Sequence, residues 1–208
     1  MKLYLTKTPS IIQKIFKNYT WRFSSNKKEI YLTFDDGPTP IITNWVLDLL
    51  KEHNAKATFF CIGKNIIKEP LIYHRILEEK HQIGNHTHNH KNGYKTDFKK
   101  YINNILEAEK HLENSSKLFR PPYGRIKRKQ AQKIKSLGYN IIMWDVLSAD
   151  FDTAINKEKC LQNVLKSTKN GSIIVFHDSI KASKNLQYTL PKVLEYFSKK
   201  GYLFKAIP

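Results

Sequence analysis

The sequence lacks the features that define several large classes of protein. It has two cysteines, Cys61 and Cys160, among 208 residues, which excludes a scaffold held together by disulfides. No apolar run approaches the roughly 20 residues that a membrane-spanning helix needs, so an integral membrane protein is excluded. With 40% hydrophobic and 12% aromatic residues the chain can build a core, and a wholly disordered protein is excluded too. We therefore expect one domain with two reduced, buried thiols.

Acidic residues are scarce, with 18 against 36 basic ones and a formal net charge of +18. Only five of the basic residues are arginines, the residue that base readout and bidentate phosphate recognition favour. The lysines are scattered rather than grouped in a block. We interpret the charge as a solvated basic surface and predict no nucleic-acid partner, with attraction to an anionic polymer or membrane as the alternative.

The N-terminus has no recognisable secretory signal, because Lys7, Lys14 and Lys17 interrupt any apolar stretch. We therefore expect a cytoplasmic protein. Apolar residues between Pro9 and Tyr19 share one helical face, which predicts a helix docked on its own domain, with peripheral membrane contact as the alternative. We treat residues 1–27 as an N-terminal extension and residues 28–208 as the main domain, and we expect a monomer.

From residue 28 onward, short apolar runs alternate with amphipathic segments, which predicts an α/β fold with a largely parallel sheet. The predicted strands cover residues 29–34, 57–62, 81–85, 117–120, 140–144, 172–176 and 202–207. The predicted helices cover residues 41–52, 69–80, 97–114, 127–137, 155–169 and 186–200. Pro70 is placed to start a helix, and Gly138 and Gly201 are placed to end one.

Polar residues collect at the carboxyl ends of five of these strands. They are Asp35 and Asp36, then His86, His88 and His90, then Arg120 and Tyr123, then Asp145 and Asp150, and last His177 and Asp178. An open sheet gathers a ligand around a few neighbouring strands, whereas a barrel brings all strand ends around one mouth. We therefore predict a single-domain, distorted (β/α)7 barrel of the TIM type.

Two of these groups together suit a metal ion. Asp36 follows an apolar strand within an Asp-Asp-Gly-Pro run, and His86 and His90 would face the same way on a helical turn. One carboxylate and two imidazoles leave a position open for water, which is the pattern of catalytic zinc. The same set also suits non-haem iron(II). Taken singly, the first motif could be only a turn and the second only solvated histidines.

Three further groups supply acid–base chemistry. The arginine fork of Arg120 can orient one carboxylate. His177 ends an apolar strand and could be a core histidine, but a carboxylate such as Asp150 would raise its pKa and make it a general acid. With a metal site these are the parts of metal-assisted hydrolysis.

These motifs, in this order, resemble those of the polysaccharide deacetylases, the NodB-homology family of carbohydrate esterases (family 4). The motifs are Thr-Phe-Asp-Asp, His-Thr-x-x-His, Arg-x-Pro-Tyr-Gly, an Asp-aromatic pair and Ile-x-x-His, spread from about Ile30 to His177. The resemblance implies a distorted (β/α)7 barrel and makes residues 28–208 the catalytic domain. It implies a metal-dependent hydrolase that deacetylates N-acetylglucosamine units of a peptidoglycan or chitin-type chain, with Zn²⁺ as the metal and Co²⁺ as an alternative.

The resemblance also implies roles, residue by residue. Asp35 matches the catalytic base, Arg120 the residue that orients it, and His177 the general acid tuned by Asp150. The metal ligands match Asp36, His86 and His90, and the Tyr123 N–H matches the oxyanion donor. Substrate contacts are expected at Tyr123, Trp144, Phe151 and Ile174. Ile174 occupies the position where the family usually has a leucine that lines the acetyl-methyl pocket. Phe151 occupies a position where family members commonly have tryptophan. The alternatives are a catalytically silent carbohydrate-binding barrel, an O-acetyl esterase on sugars and an iron(II) oxygenase.

Overall fold

The computed structural model describes residues 4–23, 26–113 and 117–208. In this part of the chain the strands are β1 (Glu29–Asp35), β2 (Ala57–Cys61), β3 (Gln82–Asn85), β4 (Leu118–Phe119), β5 (Asn140–Ile141), β6 (Val146–Leu147), β7 (Ile173–His177) and β8 (Leu203–Phe204). The α-helices are α1 (Ser10–Ile15), α2 (Ile42–Glu52), α3 (Gly63–Lys68), α4 (Pro70–Glu78), α5 (Phe98–Glu109), α6 (Arg128–Ser136), α7 (Lys157–Ser167) and α8 (Ser183–Lys199).

The six helices predicted after residue 28 are present, with α3 in addition. Pro70 is the first residue of α4, where its missing N–H costs nothing. Gly138 and Gly201 follow α6 and α8 with φ of 86° and 74°, the left-handed conformation that closes a helix. The predicted helix over 97–114 ends at Glu109, and Asn114 lies outside the described residues.

The strands form one parallel sheet in the order β5-β4-β3-β2-β1-β7-β6, with β8 beside the start of β1. The sheet curls into a half-barrel with helices outside, which confirms the predicted (β/α)7 architecture. Three details differ from the prediction. The sheet has eight strands, and its edges β5 and β6 do not pair in the described chain. The predicted strand over 140–144 leaves the ladder after Ile141, because Met143 N–H donates to the carbonyl of Thr20 at 2.7 Å.

The N-terminal segment, residues 4–23, lies between the two edge strands β5 and β6. Thr20 N–H donates to the carbonyl of Ile141 and Thr8 N–H to that of Asp145, each at 2.9 Å. On the β6 side, Leu147 N–H donates to the carbonyl of Thr6 at 2.9 Å. The segment is thus attached by its extended stretches.

The helix of this segment is shorter and more exposed than the predicted docked helix. α1 has six residues and none is buried, with Ile11 61% and Ile15 66% exposed. Only Ile12 and Tyr19 of the predicted apolar face pack against the core. A strand-like contact satisfies the backbone groups of the sheet edges, which a helix cannot do.

The core lies between the sheet and the helices and holds the site-bearing strands in place. Ile30, Leu32 and Phe34 of β1 are fully buried there, and the Phe34 ring lies 5.1 Å from that of Phe59 and 6.0 Å from that of Phe176. Cys61 and Cys160 are free and buried, as predicted. None of the described helices combines the length and apolarity needed to cross a membrane.

Candidate active site

The carboxyl ends of the strands surround a cavity of about 660 Å³. Its lining brings together most of the residues selected from the sequence: Asp35, Asp36, His86, His90, Tyr123, Trp144, Phe151 and His177. Parallel strands all end on the same side of the sheet, which is why residues far apart in sequence meet here.

Asp36, His86 and His90 offer ligand atoms that all lie within 4.8 Å of one another. Asp36 Oδ1 is 3.1 Å from His90 Nε2 and 3.6 Å from His86 Nε2. The prediction of a helical turn between the two histidines is wrong. Residues 86–90 form a loop in which Thr87 and His90 have φ of 64° and 52°. These left-handed residues fold the loop back, so both rings reach the same point.

The three residues fit a divalent cation. Asp36 Oδ1 is buried and has no well-formed hydrogen bond, although buried polar atoms normally have a partner. His86 Nδ1 lies 2.8 Å from the carbonyl of Arg120, so this nitrogen carries the proton and Nε2 keeps its lone pair toward Asp36. Burial lowers the pKa of His86 to about 4, which keeps the imidazole neutral, as a metal ligand must be.

Asp35 is held by a buried arginine. Arg120 Nη1 donates to Asp35 Oδ1 at 2.7 Å and to Thr33 Oγ1 at 2.6 Å. Its other nitrogens donate to the carbonyls of Ile142 and Met143, and the guanidinium lies 4.1 Å from the centre of the Phe60 ring. The side chain of Arg120 is 0% exposed. This fixed arginine keeps one Asp35 oxygen engaged and sets the direction of the carboxylate.

His177 stands beside Asp35, because the two residues are register partners on β7 and β1. The Asp150 carboxylate accepts from its backbone N–H and from ring Nδ1–H, both at 2.8 Å. Burial opposes a charge on this ring, but the charge and hydrogen bond of Asp150 outweigh it and raise the pKa of His177 to about 9. The ring is therefore protonated at neutral pH.

Three of the four predicted substrate contacts line the cavity, and one does not. Tyr123 places its ring 4.6 Å from that of His90 and has φ of 61°, and Phe151 sets its ring edge-on to His177 at 5.0 Å. Trp144 also lines the cavity. The assignment of Ile174 to the cavity is wrong, since Ile174 is fully buried in the core on the opposite face of β7. Its neighbour Val175, together with Leu147, lines the cavity instead, because side chains alternate along a strand.

Asp178, which had no predicted role, supports the metal-site loop. Its Oδ1 accepts from the N–H of Gly37 at 3.1 Å and its Oδ2 from Thr43 Oγ1 at 2.5 Å. Burial raises its pKa to about 8. The Gly37 position admits no side chain, since a Cβ there would lie 2.0 Å from Asp178 Oδ2. The signal available in the sequence was an aspartate directly after His177, at the end of an apolar run.

Two other polar residues selected from the sequence lie elsewhere. The His88 ring packs beside His111, with ring centres 5.8 Å apart, and does not line the cavity. Asp145 is buried and accepts from Lys7 Nζ at 2.8 Å and from Ser172 Oγ at 3.0 Å. It therefore attaches the N-terminal segment to β7 and has no place in the chemistry.

A carboxylate oriented by Arg120, a histidine charged by Asp150 and an Asp-His-His cluster at one mouth are together the parts of a hydrolase. The sequence profile of the polysaccharide deacetylase family matches residues 23–142, and the chain belongs to that family. It is an enzyme that hydrolyses carbon–nitrogen bonds other than peptide bonds, as deacetylases do.

Individual relatives agree with this family. The chain is 37% identical over 192 residues to a peptidoglycan-N-acetylglucosamine deacetylase of Bacillus cereus, covering 90% of each chain. It is 35% identical to a chitooligosaccharide deacetylase of Azorhizobium caulinodans, over 76% of this chain and 77% of the relative. The crystal structure of the Bc1960 peptidoglycan N-acetylglucosamine deacetylase superposes with a TM-score of 0.87 at 35% identity, covering 97% of this chain and 95% of that one.

Proposed function

We propose that the protein hydrolyses the acetamide of N-acetylglucosamine units in a peptidoglycan or chitin-type chain, releasing acetate and leaving the free amine. One observation carries this: Asp35 and His177 are register partners on neighbouring strands, one held by Arg120 and the other by Asp150, beside the Asp36-His86-His90 cluster. The names of relatives support the substrate, since two of them act on peptidoglycan N-acetylglucosamine and on chitooligosaccharides.

We propose Zn²⁺ as the ion for Asp36, His86 and His90, because a carboxylate with two neutral imidazoles is a frequent donor set for catalytic zinc. When bound, a divalent cation supplies Lewis acidity to the acetyl carbonyl and to the attacking water. The protein residues supply the remaining steps.

Asp35 accepts a proton as water adds to the acetyl carbon, and Arg120 keeps its free oxygen directed into the cavity. The backbone N–H of Tyr123 donates to the oxygen that becomes negative in the tetrahedral intermediate. When the carbon–nitrogen bond breaks, His177 gives its proton to the departing amine. Water thus provides the oxygen of acetate, and the amine leaves neutral.

Acetate release tests this proposal directly. The protein is incubated with N-acetylated chitooligosaccharides, peptidoglycan fragments and acetylated xylan, with and without a chelator and with Zn²⁺ added back. We expect acetate from the first two substrates, loss of activity with chelator and recovery with Zn²⁺. Activity that resists complete metal removal overturns the metal site, acetate from xylan alone identifies an O-acetyl esterase, and zinc binding without turnover on any substrate identifies a silent barrel.

A further inference from the structure

A second cavity, of about 550 Å³, opens beside the catalytic one. Trp144 and Tyr123 line both cavities, as do Gly124, Arg125 and Leu147. The two spaces are therefore neighbouring parts of one depression, with Trp144 and Tyr123 among the residues at their common boundary.

Aromatic side chains form much of the wall of this second cavity. Tyr19, Trp21, Tyr94, Tyr123 and Trp144 are among the residues that line it, and we call this cavity the aromatic groove. Tyr94 is 54% exposed, and Trp21 is anchored by a hydrogen bond from its indole nitrogen to the carbonyl of Phe16 at 3.0 Å. Flat, amphipathic rings with fixed orientation present stacking surfaces to a ligand that has both apolar faces and hydroxyl groups.

The N-terminal segment makes one side of the aromatic groove and is held firmly there. Thr8 Oγ1 donates to the carbonyl of Trp144 at 2.8 Å, and Lys7 Nζ pairs with Asp145 at 2.8 Å. The groove is thus a preformed feature of the fold, and its position is fixed relative to the catalytic cavity.

Away from the catalytic cavity the aromatic groove leads into a third space of about 640 Å³, which shares Phe16, Tyr19, Tyr94 and Ile126 with it. Lys127, Arg128 and Lys135 line this end. Among the described residues that line these two spaces there is no aspartate or glutamate. The end of the groove is therefore positively charged and favours an anionic group.

We propose that the aromatic groove binds the glycan chain that continues from the acetylated sugar, and that its basic end receives a carboxylate of that chain. The inference rests on the proposed deacetylase function, because it takes the acetylated sugar to lie in the catalytic cavity. Sugar rings stack on Tyr94, Trp144 and Tyr19, and the lactyl carboxylate of an N-acetylmuramic acid unit that carries no peptide is a group of the required charge.

Chain-length preference tests the stacking part. The kcat/KM values for N-acetylchitopentaose and N-acetylchitobiose are measured for the wild type, for Tyr94→Ala and for Tyr196→Ala, an exposed aromatic on α8 away from the groove. We expect Tyr94→Ala to lower the ratio of pentamer to dimer by about tenfold, which corresponds to one stacked ring, whereas Tyr196→Ala leaves the ratio as it is. A general structural defect lowers both values together, so an unchanged ratio in Tyr94→Ala overturns the proposal.

Binding of a charged glycan tests the basic end. Calorimetry compares a tetrasaccharide of alternating N-acetylglucosamine and N-acetylmuramic acid with neutral N-acetylchitotetraose. Lys135→Gln should weaken binding of the charged chain about threefold, while Lys133→Gln, on the same helical turn outside the groove, should not. Equal effects of the two variants, or equal loss for both glycans, overturn the carboxylate assignment. If the wild type binds these chains in the aromatic groove but deacetylates none of them, the proposed deacetylase function is wrong, whereas glycan binding by the groove is supported.

Discussion

Asp150 fixes His177 at two points, since one carboxylate oxygen accepts from the backbone N–H and the other from ring Nδ1, each at 2.8 Å. The contact sets the orientation of the ring and keeps its proton at neutral pH. A carboxylate that both orients and charges an imidazole makes that imidazole a competent acid.

Replacing this carboxylate should move the pH dependence of turnover. With its pKa at about 9, His177 is protonated below that pH and loses its proton above it, so activity falls on the alkaline side. In Asp150→Asn the charge is gone, and the alkaline limb should shift toward the ordinary histidine value of about 6.5. A profile of kcat from pH 5 to pH 10 measures the shift, and Asp48→Asn, an exposed carboxylate paired with Arg75 on the outer helices, serves as control. An alkaline limb that stays in place in Asp150→Asn contradicts the acid role of His177.

The two adjacent carboxylates Asp35 and Asp36 should be separable by experiment. Asp35→Asn should lower kcat by about 10²–10⁴-fold, the usual contribution of a general base, with zinc content unchanged. Asp36→Asn should instead reduce zinc content, because it removes the only carboxylate of the Asp-His-His cluster. Metal analysis and acetate release on the same preparations distinguish them. Full activity in Asp35→Asn would refute its role as base.

Arg120 should matter for stability as well as for activity. Its guanidinium is fully buried and donates to Asp35, Thr33 and two carbonyls, so Arg120→Met leaves a buried carboxylate without its partner. The expected loss is about 3–5 kcal/mol in the free energy of unfolding. Urea denaturation measures it, with Arg22→Met, an exposed arginine, expected to change stability by less than about 0.5 kcal/mol. A stable Arg120→Met variant would show that Asp35 finds another partner.

Lys7 should stabilise the attachment of the N-terminal segment. Its ammonium bonds to buried Asp145 and to the carbonyl of Ser167 at 2.7 Å. Lys7→Met should therefore cost about 1–3 kcal/mol, since Asp145 loses its cationic partner. Thermal or urea unfolding measures the cost, and Lys14→Met, an exposed lysine on α1, should leave the midpoint unchanged. Equal midpoints for both variants would mean that this ion pair adds nothing.

The order of the site residues along the chain was enough to predict where they meet. In a parallel sheet every carboxyl end points to one mouth, so Asp35, His86, Arg120 and His177 could be placed together from their positions after apolar runs. The predicted Asp150–His177 pair follows from the same rule, because residues after neighbouring strands meet. At the mouth of the half-barrel the strand ends bring Asp150 within hydrogen-bond distance of His177.

Three details could not be predicted because the local pattern fits more than one structure. The spacing of His86 and His90 suits a helical turn and a folded-back loop equally, and left-handed residues decide for the loop. In β7 four consecutive apolar residues, 173–176, hide the alternation, so Ile174 and Val175 could not be told apart. The open side of the sheet depends on hydrogen bonds from residues far away in sequence, such as Thr20 to Ile141.

The place of the N-terminal segment between β5 and β6 has a practical consequence for anyone shortening the chain. A fragment beginning at residue 28 would leave the peptide groups of two strand edges facing water, and such edges recruit strands from other molecules. Aggregation, or exchange of this segment between copies, is the outcome to look for in truncated preparations.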